Sequence, residues 1–129
     1  MQAWLLSLIL LLAPTPYRVP SMPEPLDVYR ARMASVATDL AAQVRSPAEG
    51  ALMVALAFRE SGFALDADRG PCDRRIGPGR CDGGRSVSMW QVMIANGVTA
   101  EGWGRAELFA SRPRAIHEAL RRVRRSVGA

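Results

Sequence analysis

Among the side chains that could do chemistry, Glu60 has the least expected setting. It follows the wholly apolar stretch ALMVALAF at 51–58 and precedes Ser61 and Gly62. The C-terminal end of a helix carries partial negative charge, which disfavours a carboxylate by roughly 0.3–1 kcal/mol. Burial beside Phe58 or Phe63 would add to that cost. Both effects favour the neutral acid, and a carboxylic acid that keeps its proton can donate it to a leaving oxygen. The plainer alternative is a surface ion pair with Arg59 or a loop arginine, worth little.

Other chemistries are narrower. All 17 basic residues are arginine, which excludes a Schiff-base lysine and a phosphate loop ending in Gly-Lys-Ser/Thr. Cys72 and Cys81 are the only cysteines, with eight residues between them. In an oxidising compartment they form a disulfide that closes a small loop. Two cysteines and the single His117 supply too few ligands for a metal site. Asp66 and Asp68 begin like a calcium loop, but Gly70 and Gly77 fall where ligands should be, so no EF-hand is expected. No metal and no cofactor is implied.

The elements that position these groups are mostly helical. Residues 4–13, WLLSLILLLA, are an apolar run of ten, too short for the roughly 20 residues of a membrane span and suited to a secretory signal over 1–16. A short uncleaved anchor is the alternative. A proline-rich linker follows over 17–25, and the domain proper is expected over 26–129. Leu26, Tyr29, Met33, Val36, Leu40 and Val44 recur with a helical period, with Arg30, Arg32 and Asp39 between them. Ser46-Pro47-Ala48-Glu49 reads as a capping box and Gly62 as a stop, giving a helix over 47–61 that is buried on nearly all sides. Residues 64–86 read as a long irregular loop, 86–94 as an apolar segment, Asn96-Gly97 as a turn, and 100–110 as holding a short helix. Ile116, Leu120, Val123 and Val127 align on one face of a last helix from 113, with Arg121, Arg122, Arg124 and Arg125 opposite. No internal repeat and no long alternating strand is present.

Charge is uneven. Residues 105–129 hold seven arginines against Glu107 and Glu118 and supply the whole net charge of +5. That end suits electrostatic contact with an anionic wall or membrane surface, although a solvated helix face is the commoner use. Nucleic acid is not expected, since aromatic interleaving is missing.

A second motif, Ser86-Val87-Ser88-Met89-Trp90-Gln91-Val92, joins the first. Together, "ESGF" at 60–63 and "SVSMWQV" at 86–92 resemble the lysozyme-like superfamily, in particular the lytic transglycosylases and goose-type lysozymes that cleave peptidoglycan. The resemblance covers residues 47–96 and extends to the helix from 113. It implies a lysozyme-like helical domain with a long disulfide-closed loop, secreted or periplasmic, monomeric, acting on peptidoglycan glycan strands.

Glu60 would protonate the oxygen between N-acetylmuramic acid and N-acetylglucosamine, then act as base while the sugar's own 6-hydroxyl attacks. A goose-type hydrolase would instead need a water held by Asp66, Asp68, Asp73 or Asp82, and the sequence does not choose among them. Gln91 and the backbone near Ser88 and Met89 match positions that line the sugar cleft. Ser61, Ser86 and Trp90 join them as substrate-binding candidates, with core packing the favoured role for Trp90 and bracing the alternative for the serines. A non-catalytic glycan-binding module is the remaining alternative.

Three departures stand out. Ser88 replaces the family's usual glycine. The loop between the motifs is longer than typical. The downstream tyrosine segment that steadies the catalytic Glu is missing: Tyr17 and Tyr29 both lie upstream. Another residue substitutes, the chain is truncated, or activity is impaired.

Overall fold

Ser46 sets the start of the helix that carries Glu60. Its hydroxyl accepts the Glu49 amide at 3.1 Å, and Pro47 takes the first helical position. The Glu49 carboxylate reaches back to the Arg45 amide at 2.6 Å, one residue earlier than a simple capping box requires. Gly62 ends the helix in the left-handed region (φ 60°), its amide donating to the Phe58 carbonyl. A side chain there would also meet the Tyr17 ring at 3.0 Å.

The computed structural model describes residues 1–128, apart from the Ala95 side chain. The order is α1 Gln2–Leu12, α2 Leu26–Ala41, α3 Pro47–Ser61, α4 Leu65–Arg69, α5 Cys81–Gly84, β1 Ser86–Val87, β2 Val92–Met93, α6 Arg105–Ala110 and α7 Arg112–Ser126. The fold is mostly helical. The two strands pair antiparallel, Ser86 with Met93 and Val87 with Val92. Cys72 and Cys81 form the expected disulfide, with Cα atoms 6.3 Å apart. The loop expected over 64–86 is more ordered than its composition suggests: Leu65–Arg69 is a turn of helix whose first four residues are buried. Among the described residues no helix is long and apolar enough to cross a membrane.

Residues 2–12, expected as the apolar part of a signal, form α1 and sit in the core. The Gln2 amide donates to the Thr38 hydroxyl at one end, and the Tyr29 hydroxyl donates to the Ala13 carbonyl at the other. α1 therefore runs antiparallel to α2, burying Leu5 and Ile9 completely among Met33, Leu40 and Met53. Gly50 lets α1 approach α3: a Cβ there would lie 2.8 Å from Leu5 Cδ2. A glycine inside a helix costs roughly 1 kcal/mol relative to alanine, and here the space it leaves is filled by Leu5. The proline-rich stretch 17–25 is also tied down, with Val19 packed on Ala64 and Ala67 and the Ser21 amide donating to Asp73.

The structure corrects two expectations about burial. α3 is buried on one side only: Met53, Val54 and Ala57 face the core, while Leu52 and Phe58 are exposed. Arg32, read as lying outside the apolar stripe of α2, is only 4% exposed. It donates twice to Glu24, to Asp68 at 3.1 Å and to the Phe63 carbonyl at 2.7 Å. Asp68 also takes two hydrogen bonds from Arg112, which pairs in turn with Asp39. This ionic clamp joins α2, α4 and α7. Every buried side-chain polar atom among the described residues has a partner, which is what burial of such charges demands.

Candidate active site

Glu60 lies on the last turn of α3, exposed, with no hydrogen bond or ion pair to any described residue. The burial expected around it is not there: Phe63 is fully buried, but Phe58 beside it is 42% exposed. What surrounds Glu60 is instead a groove of two adjoining hollows. One, of about 350 Å³, has an apolar floor of Leu52, Leu56, Trp90, Val92 and Val123, with Arg122 on its rim. The other, of about 450 Å³, is bordered by Arg80, Asp82 and the disulfide loop. Glu60 and Gln91 border both. The apolar outer face of α3 is thereby explained: Leu52 and Leu56 form part of the groove wall.

The β1–β2 hairpin delivers Trp90 and Gln91 to this groove. Its turn places Ser88 (φ 72°) and Gln91 (φ 50°) in the left-handed region, where side chains are strained. The strain is held by local bonds. The Ser88 hydroxyl accepts the Trp90 amide at 3.2 Å, and Gln91 Nε2 donates to the Ser88 carbonyl at 2.8 Å. Trp90 Nε1 donates to the Met53 carbonyl at 2.9 Å, fastening the hairpin to α3. Trp90 thus serves as both core and groove wall.

The remaining expected residues do not line the groove. Ser61 is buried and donates to the Ala57 carbonyl at 3.1 Å, within its own helix. Ser86 is buried and donates to Asp82 at 2.5 Å. Met89 is fully buried, its sulfur 3.9 Å from an Arg32 nitrogen. The groove thus gathers Glu60, Trp90 and Gln91; Ser86 and Ser88 bond residues that border it, while Ser61 and Met89, expected at the substrate, are buried and line neither hollow.

Of the four acids the sequence left open, three are committed elsewhere. Asp66 is fully buried and binds Arg80 together with the Ala67 and Asp73 amides. Asp68 belongs to the clamp. Its burial opposes ionisation, but the hydrogen bonds and charges of Arg112 and Arg32 outweigh this and hold its carboxyl below the usual range. Asp73 is likewise held low by hydrogen bonds from Ser21 and the Arg75 amide, against the opposing effect of burial. Asp82 alone of the four borders the Glu60 hollow.

Sequence reasoning missed Arg122, read as part of a solvated face. Glu118, fully buried in α7, binds Arg121 and takes the Arg122 Nε at 3.2 Å, fixing that arginine at the rim. The Glu118/Arg122 spacing of four was the available signal. Of the two upstream tyrosines, Tyr29 is buried in the core. Tyr17 lies over Gly62 and under the Arg80 guanidinium, 5.1 Å from its ring centre, beside the helix end that carries Glu60.

No protein-family model, no characterised protein and no solved structure matches this chain.

Proposed function

We propose that this domain cleaves the glycan strands of peptidoglycan as a lytic transglycosylase-like enzyme, with Glu60 as its one acid and base. The observation that carries this reading is the setting of Glu60: a carboxylate without a partner, at the middle of a groove walled by Trp90 and Gln91. Sugar rings have apolar faces and hydroxyl edges, which fit an apolar floor of Leu52, Leu56 and Trp90 with polar groups at the rim. Arg121 and Arg122 share the single carboxylate of Glu118, which leaves positive charge at the rim for the carboxylates that peptidoglycan carries. Glu60 is open to water in the free domain, so the bound glycan itself must cover the carboxyl and exclude solvent.

In the proposed reaction Glu60 gives its proton to the glycosidic oxygen as the bond from the muramic acid C1 breaks. The carboxylate then takes the proton of the same sugar's 6-hydroxyl as its oxygen bonds to C1. The product is a 1,6-anhydro sugar, and the proton is returned to Glu60. One carboxylate suffices, unlike the paired acids of most glycosidases.

The position of Asp82 favours a second reading, hydrolysis. It is the one candidate acid next to the Glu60 hollow, and a water activated there would leave a reducing end instead. A binding module without catalysis is the third. The disulfide is compatible with an oxidising compartment, and we place the domain in the periplasm or outside the cell on that ground.

Mass spectrometry of sugars released from purified peptidoglycan separates these. Anhydro ends are expected. Reducing ends that vanish in Asp82→Asn would favour hydrolysis, and no release at all would leave only binding.

A further inference from the structure

α1 is apolar on two faces, and only one of them is used. Leu5 and Ile9 face the core, whereas Met1, Trp4 and Leu11 are 48%, 43% and 77% exposed. Trp4 and Leu11, two turns apart, lie on the outer side, with half-buried Leu8 between them. The helix contains no charged residue; Gln2 and Ser7 are its only polar side chains. A helix that is apolar all round is normally covered all round. Here Met1, Trp4, Leu11 and Leu12 are left uncovered, and Leu26 and Val28 at the start of α2 are exposed as well.

A second, independent feature says what covers it. The segment 43–50 is bordered on one side by α1, through Leu5 against Gly50 and Val44. On another it is bordered by the end of α7, where Arg124 binds the Gln43 carbonyl and Glu49. Arg45, Arg121, Arg124, Arg125 and His117 line a single open hollow of about 650 Å³ at that end. Arg121 and Arg124 are paired with Glu118 and Glu49, but Arg45 and Arg125 are exposed and have no acidic partner among the described residues. An uncharged apolar helix face with a tryptophan, together with unpaired arginines across the 43–50 segment, matches the interface of an anionic bilayer, where tails take the apolar face and headgroups the cations.

We propose that α1 stays with the folded domain and seats it on an anionic membrane surface, lying in the interface without crossing it. Trp4 and Leu11 enter the headgroup region, and Arg45 and Arg125 meet lipid phosphates. The packing of Leu5 against Gly50 is the contact that would hold α1 to the domain. This proposal stands apart from the glycan-cleaving one, since neither the Glu60 groove nor its chemistry is needed for it.

The test is flotation of the full chain with vesicles of phosphatidylcholine, with and without phosphatidylglycerol. Binding is expected only with the anionic lipid, falling as salt rises. Trp4→Ser with Leu11→Ser, both on the outer face, should leave melting unchanged and abolish flotation. Arg45→Glu with Arg125→Glu should weaken binding by about tenfold or more. Equal flotation of the Trp4→Ser/Leu11→Ser protein would overturn the proposal, as would no flotation of the unaltered chain. So would preferential binding to a soluble polyanion such as heparin that displaces the vesicles. Intact mass of the protein made in cells is the second check: a mature chain that begins after residue 12 contradicts it.

Discussion

The groove at Glu60 and the clamp at Asp68 are both built on a carboxylate within reach of arginine-bearing segments, yet they are opposites. Asp68 is buried, takes hydrogen bonds from Arg32 and Arg112, and ties three helices together. Glu60 has arginines nearby in sequence and in space, Arg59, Arg80 and Arg122, and is bonded to none of them. Two of those neighbours are occupied: Arg80 is held by Asp66 and Arg122 by Glu118. The difference teaches how one small chain separates structural from available charge. Burial and dedicated partners fix one carboxylate; the other is exposed, and two of the three arginines near it are already bound.

The sharpest way to break this contrast is to remove the clamp. Asp68→Ala leaves two largely buried guanidinium groups without their shared partner and should cost about 3–5 kcal/mol, read by urea unfolding. Glu60→Gln, by contrast, should leave the unfolding curve unmoved. A Glu60→Gln protein as unstable as Asp68→Ala would mean that Glu60 is structural.

The loop that frames the groove comes next. Reducing Cys72–Cys81, or replacing both with serine, should lower stability by about 2–3 kcal/mol in the chain-entropy picture. Acid sharpens the comparison from another side. The Asp68 carboxyl is held below its unfolded value of about 3.9, so its contribution is fully present above that pH and is lost as pH falls through the folded value. Acid unfolding should therefore steepen below about pH 4, and Asp68→Asn should remove that component. The smallest effect is expected at the hairpin. Ser88→Gly relieves a left-handed side chain but loses the bond to the Trp90 amide, so the net change should stay within about 1 kcal/mol. Ser88→Val should destabilise by roughly 1–3 kcal/mol.

Local signals made the helices legible. Ser46, Pro47 and Gly62 bound α3 as read, and Ser111 with Pro113 opens α7 one residue before the apolar period suggested. The disulfide followed from two cysteines and a turn-rich spacing. Long-range pairing hid the rest. Nothing near Arg32 in sequence announces Asp68, 36 residues away, so the arginine read only as lying between the apolar positions of its helix. The same limit left four aspartates open, since only the packing of the loop commits Asp66, Asp68 and Asp73 and leaves Asp82 beside the groove. α1 was read by its composition, which a signal and a core helix share, and Gly50, the residue that admits Leu5, did not enter the reading. Glu60 was legible by position but not by environment, because the burial anticipated from its apolar helix falls on the opposite face.

Release of muropeptides from purified peptidoglycan by the unaltered chain and by Glu60→Gln, with equal melting of both verified, tests the central claim most directly. The expected result is release by the first and a loss of about 10²–10⁴-fold by the second. Comparable release from both proteins, or none from either, would contradict it.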